Sequence, residues 1–309
     1  MKCRKVIQFV ILLVFVFDSH FIHSQNNSFF QPSPVENRTR MSGVAIAEGA
    51  LFTGAILALN VLWYKGFHRQ KFHFFKDGRE WLQMDKAGHA ISAYNLSVFG
   101  TDVYRWSGMN AQRSYIAGSA TGFLFLSIIE IFDGFSSGWG FSNGDMIANL
   151  LGSSFSAGQY AGWGEQRIQL KFSYRRTIYP SYRPEILGKG FFQKVLKDYN
   201  GQTYWLSANI SSFCPANLQI PTWLNLAIGM GAEGMISGMP EINIDSTSRP
   251  AFKRFRKFYI SPDLNFQNLP VNDIVIQSAL KSVNFLKCPL PALEFIPSKR
   301  KWKAKLFGF

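Results

Sequence analysis

Residues with the means to do chemistry gather in two short stretches of this sequence. One is Asp85-Lys86-Ala87-Gly88-His89; the other runs from Glu130 to Gly152 as EIFDGFSSGWGFSNGDMIANLLG. Asp85 and His89 stand four residues apart, Glu130 and Asp133 three, and Asp145 and Asn149 four, spacings that put each pair on one helix face. If the three faces meet, one imidazole and several carboxylates converge, with Lys86 beside them. Such a set suits general acid-base chemistry or a hard-metal site. His89 is then the acid or base, with Glu130 and Asp145 as orienting or metal-binding carboxylates. Asp85, Lys86, Asp133, Ser142 and Asn149 complete a polar cluster around them.

The same residues have structural uses. Ser142-Asn143-Gly144-Asp145 is a variant of the capping box, with Ser142 as N-cap and Asp145 favoured by the helix dipole. Asp85 can cap in the same way, and His89 with one carboxylate is a common satisfied core pair. Trp139 and Phe141, in the glycine-rich loop, fit a plug at the end of a helical bundle. No nucleophile elbow, Walker loop, dinucleotide fingerprint or HExxH occurs, and five histidines are few for a His-rich zinc site. No metal and no cofactor are expected on these grounds.

Four helical stretches must position the cluster. Ser42 to Tyr64 is apolar apart from Glu48 and Asn60 and ends in Trp63-Tyr64-Lys65, as a membrane-interface belt would. Asp85 to Trp106, Ala111 to Phe132 and Asp145 to Trp163 follow. Small residues recur at four-residue spacing in Ala50/Gly54, Gly118/Gly122 and Gly158/Gly162, which permits close helix contact. A basic aromatic loop, HRQKFHFFKDGR, lies between the first two helices and suits a headgroup-level position. The expectation is a four-helix, membrane-associated bundle over 42–165, after a flexible stretch over 25–41.

Beyond Gln166 the pattern changes to period two. Ile168, Leu170, Phe172 and Tyr174 fall on one strand face, and Leu206 to Ile210 and Leu224 to Met230 repeat the alternation. Pro184 to Tyr199 reads as one amphipathic helix, Asp273 to Leu286 as another, and Pro291 to Phe295 and Lys301 to Leu306 as strands. A strand ending in Phe309 is similar to the last strand of an outer-membrane barrel. Five or six strands fall short of the roughly eight that a closed membrane barrel needs. The fold class is therefore α+β, the bundle being followed by a basic β-rich domain over 166–309 with a small antiparallel sheet.

Composition bears on location. Lys2, Arg4 and Lys5 precede an apolar run from Val6 to Phe17, and Ser24 before Gln25 offers a cleavage site, so 1–24 reads as a signal peptide. Cys3 precedes that run and cannot be a lipid-modified cysteine. Cys214 and Cys288 pair or stay as buried thiols. A net charge of +14 implies attraction to anionic surfaces. Export excludes nucleic acid and leaves membrane or anionic envelope lipid, or an envelope protein, as partner. Lys253, Arg254, Arg256, Lys257, Lys299, Arg300, Lys301, Lys303 and Lys305 make up the expected anion-binding face.

The arrangement Asp85-Lys86-x-x-His89, Glu130, Phe141-Ser142-x-x-Asp145-x-x-x-Asn149-x-x-Gly152 resembles the VanZ-like membrane proteins. The fuller form, EIxDG followed by WGFSxGDMxxN, is more similar to the family of domain of unknown function 2279, predicted periplasmic lipoproteins of the YfiM type. The similarity covers about Trp81 to Gly164. Where the VanZ-like pattern has Gln after the Glu and Arg before the Phe-Ser pair, this sequence has Asp133 and Trp139, which weakens any phosphate-binding role carried over. The resemblance implies an envelope location and a helical polar core, without an activity. Two functions are open: a non-enzymatic membrane-associated protein that binds lipid or a partner, and an envelope hydrolase or transferase using His89, Glu130 and Asp145.

Overall fold

Asn37, Asn110 and Ser142 each accept a hydrogen bond from the backbone amide three residues on, at Arg40, Arg113 and Asp145 (3.0, 2.9 and 3.0 Å). Side-chain caps of this kind satisfy amides that the first helical turn leaves free. They start three long helices: α1 (Arg38–Leu59), α3 (Ala111–Gly134) and α4 (Asn143–Trp163). Between the first two lies α2 (Met84–Trp106), which has no side-chain cap. The chain enters α2 through three consecutive left-handed residues, Trp81, Leu82 and Gln83 (φ 45, 51 and 61°), a conformation costing about 1–2 kcal/mol per non-glycine residue. These coordinates come from a computed structural model that describes residues 29–64, 67–239 and 252–306. The expected signal segment, Cys3 and Phe309 lie outside the described residues.

Three helices, not four, make the packed bundle. Gly118 and Gly122 of α3 meet α2 so closely that a Cβ on Gly122 would lie 2.5 Å from the Ala93 carbonyl oxygen, and one on Gly152 of α4 would lie 2.0 Å from that of Ala90. The Gly118/Gly122 spacing does what small-xxx-small pairs do. Gly54, Gly158 and Gly162 face open space, so the other two pairs make no helix contact. Helix α1 stands at the side, with Val44 as its one buried residue, a Phe52–Phe125 ring contact to α3 and a hydrogen bond from Tyr104 to Glu48 (2.8 Å). It begins at Arg38, inside the stretch 25–41 expected to be flexible.

In α3 and α4 most buried positions are small or polar and large apolar residues lie outside, whereas α2 buries Met84, Ile91 and Tyr94. The buried positions of α3 are mostly Ser, Gly and Glu, while Ile116, Leu124, Ile131 and Phe132 are exposed. In α4, Asp145, Asn149, Ser153, Ser156 and Gln159 are buried while Ile147, Leu150 and Leu151 are exposed.

The sheet repeats this inversion. Strands β1 (Ile168–Tyr174), β2 (Gln202–Asn209), β3 (Leu224–Glu233), β4 (Phe255–Leu264), β5 (Ala292–Ile296) and β6 (Lys301–Lys305) pair antiparallel in chain order. Their register aligns Leu170, Leu206, Ile228, Ile260 and Leu293 in one row. The next row, on the opposite face, is Lys171, Trp205, Gly229, Tyr259 and Glu294. The sheet curls around this second face: Lys171 of β1 reaches Asp263 of β4 at 3.0 Å, both wholly buried. On the apolar face, Leu206, Leu226, Ile228, Phe258, Ile260 and Leu293 are exposed, Ile228 by 54%.

Two short helices, α5 (Pro184–Leu187) and α6 (Phe191–Lys197), replace the single amphipathic helix expected there, because Gly188 breaks it at φ 96°. Helix α7 (Ile274–Ser282) lies between β4 and β5 and ties to α2 by a Lys281–Asp102 ion pair (2.9 Å). Bundle and sheet share a core in which Trp81, Met84 and Ile91 pack with Tyr204, Ala232, Met235 and Ile236. Cys214 and Cys288 are unpaired.

Candidate functional site

Helix α3 ends where α2 and α4 begin, so the up-down course of the bundle delivers the three motif faces to one end. Glu130, in the last turns of α3, accepts a hydrogen bond on Oε2 from the Ser142 amide at the start of α4 (3.1 Å). Helix α4 supplies Asp145 in its first turn and Asn149 one turn on, and α2 supplies Asp85, Lys86 and His89 in the same order. The convergence expected from spacing is therefore real for all eight residues of the cluster.

Two subclusters share Asp145. In the first, His89 Nε2 lies 3.4 Å from Glu130 Oε1, and donor atoms of His89, Glu130 and Asp145 all fall within 4.8 Å of one another. Asn149 Oδ1 is 3.1 Å from His89 Nδ1 on the far side of the ring. In the second, Lys86 Nζ sits among Asp77, Asp145 and Asp85 at 2.7, 3.3 and 3.5 Å. Ser142 joins the two, its hydroxyl donating to Asp77 (2.9 Å) and accepting from the Asp145 amide. Ser142 thus caps α4 and wires the site.

The cluster lines a cleft of about 60 Å³ closed by Phe75, Trp81, Trp139 and Tyr199. Six carboxyl groups line it, from Asp77, Glu80, Asp85, Glu130, Asp133 and Asp145, together with His89; Lys86 pairs with three of them, Asp77, Asp85 and Asp145. Three carboxylate oxygens are buried without a hydrogen-bond partner: Asp85 Oδ1, Glu130 Oε1 and Asp133 Oδ1. At the loop edge, burial pushes the Glu80 carboxyl above its usual value, and the neighbouring charge of Asp77 adds to this. Burial acts on Asp77 in the same direction. Hydrogen bonds with Asp145, Lys86 and Ser142, with the Lys86 charge, outweigh it and hold Asp77 below its usual value.

Sequence reasoning missed Asp77, Glu80, Tyr64 and Tyr199. Asp77 and Glu80 close the loop taken as a basic headgroup segment; their signal was the acidic turn Asp77-Gly78-Arg79-Glu80 just ahead of α2. Tyr64 ends the short turn Asn60–Tyr64 that follows α1 and lies beside Asp133. It also walls a second cleft of about 340 Å³, lined by Phe67, His68, Arg69, Gln70, Phe132 and Phe135. The glycine-rich loop packs at this end, the Phe141 ring against Phe72 and edge-on to Phe74, and Trp139 edge-on to Phe67.

The basic residues do not form one face. Lys257 points into the curled sheet, 4% exposed, paired with Glu233 at 2.6 Å, because strand alternation puts it in the polar rows. Arg254 donates to the Gly238 carbonyl and Arg256 to Gln83, both half-buried. Lys253, Lys299, Arg300, Lys301 and Lys303 are exposed, and Lys305 is half-buried.

Comparison with curated proteins and with solved structures returns no match. The family comparison does not show the expected resemblance to VanZ-like proteins. Residues 73–161, 89 of the 309, run from the loop ahead of α2 into α4 and hold every acidic and basic residue of the cleft; over this stretch the chain matches the family described as predicted periplasmic lipoprotein, DUF2279.

Proposed function

We propose that this exported envelope protein is embedded in a membrane through its inverted surface and holds the acidic cleft at the membrane boundary. The observation that carries this reading is the sorting of side chains in α3 and α4: small and polar residues inside, Ile, Leu and Phe outside. Water gives no reason to build such a helix, whereas lipid chains do. Helices α1 and α3, of 22 and 24 residues, are long and apolar enough to cross a bilayer. They reach about 33 and 36 Å at about 1.5 Å per residue, against a hydrocarbon core of about 30 Å. The exposed row of the sheet extends the apolar surface, in the apolar-out, polar-in pattern of a membrane sheet. The basic residues left exposed, Lys253 and Lys299 to Lys303, then meet anionic headgroups, with salt weakening that part.

Fractionation of expressed protein, with alkaline washing of inner and outer membranes separately, tests this. Retention after the wash is expected; release as a monodisperse soluble protein without detergent would overturn it.

A second reading, an envelope hydrolase or transferase, is favoured by one observation. Tyr64 and Asp133 form the wall between the acidic cleft and the larger cleft holding His68 and Arg69, which has room for a polar headgroup.

A further inference from the structure

We infer that His89, Glu130 and Asp145 bind one divalent metal cation of the kind that accepts a mixed nitrogen and carboxylate set, such as Zn²⁺ or Mn²⁺. The inference goes beyond membrane embedding and does not depend on it. The three side chains come from three helices and bring their donor atoms within 4.8 Å of one another. Glu130 is 1% exposed, yet its Oε1 has no hydrogen-bond partner and is aimed at His89. A buried carboxylate oxygen left without a partner is costly, and a cation is the ligand that removes that cost.

The histidine supports the same assignment. Asn149 Oδ1 can only accept, so in the 3.1 Å contact His89 Nδ1 is the donor. Its Nε2 is then the atom facing Glu130 Oε1 at 3.4 Å, long for a hydrogen bond. That separation is about the spacing between two ligands of a tetrahedral ion with bonds of about 2.1 Å. An outer hydrogen bond on the opposite ring nitrogen is the usual support of a metal-ligating histidine, as is the Ser142 amide on Glu130 Oε2 for the carboxylate.

The site takes one ion rather than two. Asp77, Asp85 and Asp145 form a second set with similar spacing, but the Lys86 ammonium already occupies it, 2.7 Å from Asp77. Lys86 neutralises that half and orients Asp145, leaving the His89 half open. The cleft of about 60 Å³ holds an ion with a few waters.

The test uses the full-length protein purified in detergent, stripped with chelator, and dialysed against buffered Zn²⁺ or Mn²⁺ with bound metal counted. One equivalent is expected, with Glu130→Gln and His89→Asn each weakening it at least tenfold and Asn149→Ala weakening it less. Should those variants fail to fold, the wild-type protein decides alone: its unfolding temperature rises with metal concentration, and bound Mn²⁺ shows histidine nitrogen coupling in pulsed electron paramagnetic resonance. No stoichiometric binding to wild type, no nitrogen coupling, or undiminished binding in folded Glu130→Gln overturns the assignment.

Discussion

The interior of the curled sheet and the end of the helical bundle are both buried and polar, and they differ in whether their charges are finished. In the sheet, Asp263 spends both oxygens. Oδ2 accepts from Ser207 at 2.6 Å and pairs with Lys171, while Oδ1 accepts from the Cys288 amide at 3.2 Å and faces Lys287 at 3.6 Å. Asn225 and Asn209 continue the network through Ser207. At the bundle end, six carboxyls line the cleft with His89, Lys86 pairs with three of them, and three carboxylate oxygens have no hydrogen-bond partner. A network whose charges are paired holds a fold in one arrangement, whereas one with carboxylate oxygens left without partners is held by the fold around it and is open to a ligand.

The contrast is most sharply broken at Asp263. Asp263→Ala strands Lys171 and Lys287 in a closed interior, and breaking a buried pair costs about 3–5 kcal/mol. Denaturant unfolding of the purified protein is expected to show a loss of that order, followed by tryptophan fluorescence.

At Glu130 the same kind of change is expected to be mild. Glu130→Gln keeps an oxygen for the Ser142 amide and removes one negative charge from a crowded acidic cleft, so its cost stays within about 1 kcal/mol. A loss as large as that of Asp263→Ala would make Glu130 part of the scaffold and erase the distinction between the regions.

The smallest effects are pH slopes at the cleft edge. Asp77 titrates below its usual 3.8 when folded, so its contribution is complete above 3.8 and is lost as pH falls through the lower folded value. Glu80 titrates above its usual 4.5, so its contribution is complete below 4.5 and is lost as pH rises through the folded value. Asp77→Asn is expected to lose stability at neutral pH and to converge with wild type in acid, and Glu80→Gln to flatten the decline on raising pH. Thermal unfolding across pH 3 to 7, values chosen to be about one unit or more either side of ordinary carboxyl titration, checks both. Profiles that overlay wild type would remove the electrostatic account of the loop.

The sequence was enough to find α2, α3 and α4 within a few residues, because each is a long stretch free of proline and Ser142 marks the start of α4. It was also enough to group Asp85, His89, Glu130, Asp145 and Asn149, since i to i+4 spacing shares a face whatever the helix packs on. It failed at α1, whose composition reads like a bundle member although it is left at the side, and at Lys257, where a count of positive charges carries no direction. Asp77 escaped because a loop has no period to align it with a helix face.

By itself, the amino-acid order determined the helices, the alternating strands and the pairing of titratable residues along each element. Local hydrogen bonding and side-chain period act over a few residues and need nothing else. Only the tertiary structure decided that large apolar side chains face outward, that Lys86 fills one carboxylate set and leaves the other open, and that Lys171 meets Asp263. Those outcomes rest on which element faces which across tens of residues, and close approach between helices or the curl of a sheet leaves no mark in local spacing.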